Sequence, residues 1–284
     1  MTAVLAVLAS RIGVEEKRLL DELDRRGVAC RQVDTRRLAL DIGAPGPQWR
    51  IALNREIGFH RAVQAARGLE ALGVTVVNSA AAIETCGDKW RTTLALRRAG
   101  LPVPRTALAL GPEHAVAAIE SIGYPVVIKP LIGSWGRLVT PVPDRQTAES
   151  IMEYLAALAA PHNRMVYIQR MIRKPARDIR VLVVGGEVAG AVHRYGEGVR
   201  TNIALGGRAR PLRLGPDLAK LAIAAADAVE ADIAGVDVIE DEAGEPSVLE
   251  VNHRVEFAGL QSALGDRVDV AARIVDHLVA GARR

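Results

Sequence analysis

Two apolar runs near the C-terminus constrain the fold most, because each carries polar residues inside what reads as a strand. In Ala234-Gly235-Val236-Asp237-Val238-Ile239-Glu240 a carboxylate, Asp237, sits within an apolar run. In Ser247-Val248-Leu249-Glu250-Val251-Asn252-His253, opened by Gly244 and Pro246, a carboxylate and an amide lie two residues apart. Period-two geometry puts Glu250 and Asn252 on one face. The linker Asp241-Glu242-Ala243-Gly244-Glu245 makes the two strands a hairpin. Such a hairpin can gather Asp237, Glu250 and Asn252 around one hard cation, and an all-oxygen donor set suits magnesium with nucleotide phosphates. The same pattern also fits polar residues on a solvated face.

The chain before this hairpin alternates strand and helix. Thr2–Ala9, Val28–Val33, Trp49–Leu53 and Val74–Asn78 read as strands, separated by helices at Glu15–Arg26 and His60–Leu72. This predicts a small, parallel, doubly wound N-terminal sheet. No G-x-G-x-x-G follows its first strand, so it is not read as a dinucleotide site. Ser10-Arg11, and Asn54-Arg55 through Arg61, follow strand ends, where such sheets bind ligands. Arg61 is carried forward as a substrate contact. Beyond Asn78 the pattern becomes mixed α+β. Asp88 caps a helix over Lys89–Ala99, and strands are expected at Arg105–Ala109, Pro125–Lys129, Leu138–Val142, Val166–Ile172, Asp178–Val184 and Glu187–Arg194. Helices are expected at Pro112–Ile122, Asp144–Ala160, Pro216–Glu230 and Val268–Leu278. Tyr195–Arg210 reads as one long polar, glycine-rich loop of the kind that usually serves function.

Composition narrows the classes further. The 284 residues suffice for more than one domain, and the scarcity of aromatics argues against a base-stacking nucleic-acid binder. The net charge of +4, from five lysines and 32 arginines, favours an acidic partner. Cys30 and Cys86 lack metal-ligand spacing and read as reduced thiols of a cytoplasmic protein. The first apolar segment is too short to span a membrane and no basic region precedes it.

With lysine so rare, two lysines stand out. Lys129 ends an apolar strand just before the turn Pro130-Leu131-Ile132-Gly133-Ser134-Trp135-Gly136-Arg137, and Lys89 opens a helix after Gly87-Asp88. Both are placed to meet phosphate, although ordinary surface lysines would look the same. The order G-D-K-W, Y-P-V-V-I-K-P, G-S-W-G-R, Y-I-Q-R-M-I, D-I-R-V-L-V-V-G, T-N-x-x-x-G-G, G-V-D-V, L-E-V-N is distinctive. Taken together, these motifs resemble the ATP-grasp carboxylate–amine ligases of the RimK-like branch, above all the LysX type that attaches α-aminoadipate to the acidic carrier protein LysW.

The resemblance implies an ATP-grasp fold behind a pre-ATP-grasp domain: an N-terminal domain over 1–86, a central subdomain over 87–165 and a C-terminal subdomain over 166–284. It implies ATP and magnesium as cofactors. Lys89 and Lys129 would hold phosphates, and Gly133, Ser134, Trp135 and Gly136 would close over them. Gln169, Arg170, Met171 and Ile172 would form the adenine hinge. Asp178 would lie near the nucleotide and Arg180 near the phosphates. Asp237, Glu250 and Asn252 would coordinate magnesium. Arg194 and Asn202 would join Arg180 in stabilising the reacting groups. Thr201, Asn202, Gly206 and Gly207 would close on the substrates, with Asn252 and Glu256 nearby. The implied reaction passes through an acyl phosphate and joins an amino acid to the C-terminal glutamate of an acidic LysW-like carrier. A RimK-type ligase adding glutamate to a protein or peptide terminus is the alternative, and a non-catalytic nucleotide-binding protein is a third reading. A homo-oligomer is implied, with no nucleic-acid or membrane partner.

The chain departs from the family pattern on the substrate side. Leu205 stands where the T-N-x-x-R-G-G loop carries arginine, and Arg208 is the nearest substitute. Arg170 stands where the hinge is often acidic. After Asn252-His253 and Glu256-Phe257 the sequence diverges at Ala258-Gly259-Leu260-Gln261. The segment His253–Gln261 is therefore expected to help choose the amine.

Overall fold

A computed structural model of the chain describes residues 4–133, 138–158, 164–196 and 208–282. Its first layer is a parallel sheet of β1 (Leu5–Leu8), β2 (Cys30–Val33), β3 (Ile51–Asn54) and β4 (Thr75–Val77) in the order β2-β1-β3-β4. The strands are shorter than the apolar runs that announced them. Glycines at positive φ, Gly27 and Gly73, end the preceding helices α1 (Val14–Arg25) and α2 (Phe59–Ala71) and delay each following strand. Helix α3 (Ala80–Gly87) was not expected, although Ser79 caps it by accepting a hydrogen bond from the Ala82 amide at 3.1 Å. Asp88 caps α4 (Lys89–Arg98) by accepting from the Trp90 and Arg91 amides.

The second sheet is antiparallel: β5 (Thr106–Ala109), β6 (Val126–Lys129), β7 (Thr140–Val142) and β8 (Val166–Arg170), ordered β5-β8-β6-β7. Helices α5 (Ala115–Ile122) and α6 (Arg145–Ala156) pack on one face around Ile119, Ile128, Met152 and Ile168. Because β8 hydrogen-bonds between β5 and β6, this sheet runs past the expected division at residue 165.

The third sheet, β11-β10-β9-β12-β13, is antiparallel throughout. It contains β9 (Arg177–Val184), β10 (Glu187–Tyr195), β11 (Arg208–Pro211), β12 (Ile233–Glu240) and β13 (Pro246–Asn252). The polar segment expected as one loop to Arg210 instead ends in β11, an edge strand closed by a proline that such an edge tolerates. One face packs on α4 and on α7 (Pro216–Ala228); the other packs on α8 (Ala258–Leu264) and α9 (Val270–Ala282). Helix α9 also packs on α1 and β3, so the first and third sheets share one core.

The expected β12–β13 hairpin carries a bulge that its period-two reading did not include. Asp237 pairs with Glu250, but Val238 pairs with Val248, which leaves one extra residue, Leu249, in β13. Strict alternation would put Val248, Glu250 and Asn252 on one face. The bulge changes phase, so that Val248 and Val251 enter the core beneath α7 while Glu250 and Asn252 face the opposite side.

Candidate active site

On that opposite face, polar residues fall into two rows across the third sheet. Register places Glu250, Asp237 and Arg180 side by side, and Asp178 beside Arg194 and Ala209. The charges interlock. Arg194 donates Nε and Nη2 to the two Asp178 oxygens, both at 2.8 Å, and its Nη2 lies 2.9 Å from Asp237 Oδ2. Arg180 donates Nη2 to the same Oδ2 at 2.8 Å and Nε to Oδ1. Asp178, Arg194 and Asp237 are buried. Burial raises the Asp237 carboxyl pKa, but Arg180 and Arg194 outweigh it and hold the group ionised, below the usual carboxylate range. Arg194 is raised despite its burial, by Asp237 and Asp178.

Asn252 donates to Glu250 Oε1 at 3.2 Å and to the Gly235 carbonyl at 3.4 Å, so Glu250, Asn252 and Asp237 meet as the sequence pattern anticipated. No cluster of three or more His, Cys, Asp or Glu side chains suited to a metal occurs among the described residues. Two carboxylates and an amide carbonyl fit a magnesium ion that takes its remaining ligands from phosphates and water. They do not amount to a cage for a free ion.

The two lysines approach from the second sheet and α4. Lys129 is buried and donates to Gln169 Oε1 at 2.7 Å. Gln169 donates in turn to the Tyr167 hydroxyl at 3.0 Å and to Thr106 Oγ1 at 3.2 Å, and Thr93 of α4 bonds the same Tyr167 hydroxyl at 2.8 Å. Burial pushes the Lys129 ammonium down to about 8, with Lys89 adding to the effect and Glu250 and Asp237 opposing it. Lys89 is lowered by burial too, against Glu250 and Asp88. It donates to the Gly133 carbonyl at 2.7 Å, which ties the glycine turn to the start of α4. Ser134, Trp135 and Gly136, like Thr201, Asn202, Gly206 and Gly207, lie outside the described residues.

Of the hinge residues, Gln169 is paired on both sides within the sheet, and its side chain orients Lys129. The Arg170 and Met171 amides donate to the Arg105 and Pro125 carbonyls at 2.8 and 3.1 Å. The Ile172 amide has no partner among the described residues. Arg170 itself is exposed.

A cleft of ≈410 Å³ joins these walls to the N-terminal sheet, reaching from Gly133, Arg194 and Glu250 to Glu15, Glu56 and Phe59. Its N-terminal side includes part of the strand-end segment Asn54–Arg61 that the sequence singled out, although the buried carboxylate within it was not. Glu56 is buried and accepts from the Ser10 amide and hydroxyl, both at 3.0 Å, the Gly58 amide at 2.7 Å, and the Thr35 hydroxyl. Burial raises its pKa, but these donors and Arg61 bring it below the usual range. Arg61 thus faces Glu56, at 3.2 Å. Asn54 bonds the Ala62 carbonyl and Glu56 amide. Buried Arg55 donates Nε to Glu16 at 2.8 Å and Nη1 to the Val255 carbonyl at 2.9 Å, while its Nη2 has no partner. Arg254 joins the same Glu16 at 3.2 Å and lies 3.7 Å from Glu256. Asn78 donates to the Ile233 and His253 carbonyls at 2.8 and 2.7 Å. These contacts pin the loop after β13 to the N-terminal domain. No local pattern announces them, because their partners lie more than 150 residues apart in the chain.

Two expectations for the substrate side are narrowed. Of the segment His253–Gln261, residues as far as Leu260 line the cleft, whereas Gln261 donates to the Gly265 and Val268 carbonyls and accepts from the Val270 amide, so its side chain splices α8 to α9. Arg208 pairs opposite Tyr195, whereas Ala209 pairs opposite Arg194, so alternation turns Arg208 away from the face that carries Arg194.

Comparison with known proteins matches residues 86–278 to the RimK-like ATP-grasp domain and residues 5–85 to the LysX preATP-grasp domain. The α-aminoadipate–LysW ligase LysX of Saccharolobus solfataricus is 34% identical over 206 residues, 72% of this chain and 75% of that protein. The glutamate–LysW ligase ArgX of Sulfolobus acidocaldarius is 29% identical over 276 residues, 96% of this chain and 97% of that protein. Among solved structures, a RimK domain ATP-grasp protein from Sphaerobacter thermophilus superposes with a TM-score of 0.81 at 31% identity, covering 98% of this chain and 100% of that one.

Proposed function

The chain belongs to the RimK-like ATP-grasp family, with a LysX-type pre-ATP-grasp domain, and from that membership we propose that it joins the amino group of an amino acid to the terminal glutamate carboxylate of an acidic, LysW-type carrier protein. It is an ATP-dependent ligase. The observation that carries the reading is the opposition of two charge systems. Lys89 and Lys129 approach from one side, and Asp237, Glu250 and Asn252 from the other, with Glu250 acting electrostatically on both lysines.

ATP supplies the phosphoryl group that turns an unreactive carboxylate into an acyl phosphate with a stable leaving group, and magnesium neutralises the phosphates. The protein's task is positioning and charge. Lys129, held by Gln169, and Lys89, held by Gly133, bind phosphate, and the Ile172 amide offers a donor to the adenine edge. Asp237, Glu250 and Asn252 hold magnesium. Arg194, fixed by Asp178, and Arg180 hold the carboxylate and the charge that develops on it. By the family resemblance, Gly133, Ser134, Trp135 and Gly136 are assigned to the phosphates, and Thr201, Asn202, Gly206, Gly207 and Glu256 to the amino acid. The carrier's acidic tail suits the net charge of +4. The setting is the cytoplasm, and no helix among the described residues is long and apolar enough to cross a membrane.

The test combines the purified protein with ATP, magnesium, an acidic carrier and a panel of amino acids, and reads carrier mass. Addition of one amino-acid residue with stoichiometric ADP is expected. ADP formation with no carrier tried, but with a free peptide terminus, would move the reading to the RimK-type alternative.

A further inference from the structure

Side chains on β5, β8 and α4 decide where the Lys129 ammonium points. Register sets Tyr167 of β8 directly opposite Lys129, and Gln169 follows on the same face, diagonal to Lys129 and beside Thr106 of β5. The Gln169 amide can turn either its oxygen or its nitrogen to an ammonium, and only the oxygen accepts. Two hydroxyls settle the matter. Thr106 donates to the Pro104 carbonyl at 2.8 Å, so its oxygen is left to accept from Gln169 Nε2. Thr93 donates to the Lys89 carbonyl at 2.8 Å, so Tyr167 donates to Thr93 and accepts from Gln169 Nε2. Both hydroxyls draw the amide nitrogen towards themselves, and the oxygen is left facing Lys129.

These bonds form a relay with one direction, from Lys129 through Gln169, Tyr167 and Thr93 to the carbonyl of Lys89. It ties the side chain of one lysine to the backbone of the other. Lys129, Gln169, Tyr167 and Thr93 are all buried, so a missing member leaves its neighbour unsatisfied. Lys89 is also tied to the turn that follows Lys129, its amide donating to the Leu131 carbonyl at 3.0 Å and its ammonium to that of Gly133. Two ammonium groups converging on one anion repel each other until the anion arrives, so their spacing has to be imposed by the fold.

Resting on the reading that these lysines hold phosphate, we propose that Tyr167 is a positioning residue, whose hydroxyl orients the Gln169 amide and so sets Lys129 at a fixed spacing from Lys89 before nucleotide binds. The ring alone would serve packing, and phenylalanine supplies the same ring; the hydroxyl is what the relay needs. Without it the amide loses one of the two acceptors that fix its orientation, and its nitrogen can turn to the ammonium.

Isothermal titration of the full chain with magnesium and the non-hydrolysable nucleotide AMP-PNP, and separately with adenosine, which has no phosphate, tests this. Tyr167→Phe is expected to weaken AMP-PNP at least about fivefold and to change adenosine by less than about twofold. In a Lys129→Gln background the same change should alter AMP-PNP affinity by less than about twofold, because the ammonium it positions is gone. If thermal melts show that Tyr167→Phe does not fold, the cycle is run under the same criteria with Thr93→Val, which cuts the relay at its far end and leaves the tyrosine in place. The proposal fails if the variant leaves AMP-PNP affinity unchanged, weakens adenosine equally, or costs as much in the Lys129→Gln background as in the native chain. If Lys129→Gln weakens AMP-PNP and Tyr167→Phe does not, the phosphate reading stands and this proposal falls. If AMP-PNP does not bind, or Lys129→Gln leaves its affinity unchanged, both fall.

Discussion

Lys129 shows how one residue's environment sets its chemistry. Its ammonium is buried at the end of an apolar strand, with a side-chain amide as its hydrogen-bond partner and a pKa near 8. Below that pH it is charged and available to a phosphate; above it the charge is lost. Nucleotide affinity should therefore weaken as pH rises through 8, and binding near pH 8 should take up a proton, measurable by titration in buffers of different ionisation enthalpy. Lys129→Gln should flatten the profile and weaken binding about tenfold or more. For stability the sign is the reverse of a favourable pair. The folded pKa lies below the ordinary lysine value of 10.5, so this group opposes folding below pH 8, and the cost fades as pH rises towards 10.5. Glu16 is a different case. It is buried between Arg55 and Arg254, and Glu16→Ala would leave two guanidiniums without their carboxylate. A loss of about 3–5 kcal/mol is expected in urea unfolding. A change below ~1 kcal/mol would mean water already serves these groups.

At the scale of elements, short-range signals account for most helices and strands. Asp88 and Asp144 cap α4 and α6, and apolar periodicity marks β6, β9 and β12. Helix α8 lacked such a signal because no side chain of its own caps it; its first amide is satisfied by Glu15 of α1, a tertiary partner. Close approach works similarly at the junction of α3 and α4. A Cβ on Gly87 would sit 2.1 Å from Phe59 Cε2, so glycine is required there by a ring from α2. Gly87→Ala should cost about 1–3 kcal/mol, and Phe59→Leu in the same chain should recover part of it; thermal melts of the single and double variants read the coupling. The bulge at Leu249 belongs here too. The run Val248-Leu249-Glu250-Val251-Asn252 cannot alternate cleanly, and one extra residue lets both valines stay in the core while both polar groups reach the cleft.

Across the whole molecule, the N-terminal and C-terminal parts are not independent bodies. Helix α9 covers β3 and α1 as well as β9 and β10, and Asn78, Arg55 and Arg254 stitch the loop after β13 to the first sheet. A fragment limited to residues 5–85 would expose Leu5, Leu19 and Leu53, which now share a core with Ile274 and Leu278. It is expected to give a poorly dispersed amide NMR spectrum, whereas adding a peptide of residues 266–282 should restore part of the dispersion. A well-dispersed spectrum from the fragment alone would show that α9 is dispensable. The shared core also means that the cleft is walled by groups from both ends of the chain, held at fixed spacing.

What the sequence determined by itself was the alternation of elements, the lysines at a strand end and a helix start, and the carboxylate–amide strand, because each depends on neighbours within a few residues: a period, a cap or a turn. Tertiary structure alone decided which charges remained to meet a ligand. Arg180, Arg194 and Arg254 look like free cations in the chain, and in the fold each is matched by an acid brought from another strand or from the N-terminal domain. Arg208 looks like a substitute for a missing arginine, and the pleat turns it to the other face. Charge pairing and facing depend on register and on contacts across the fold, which no local pattern encodes.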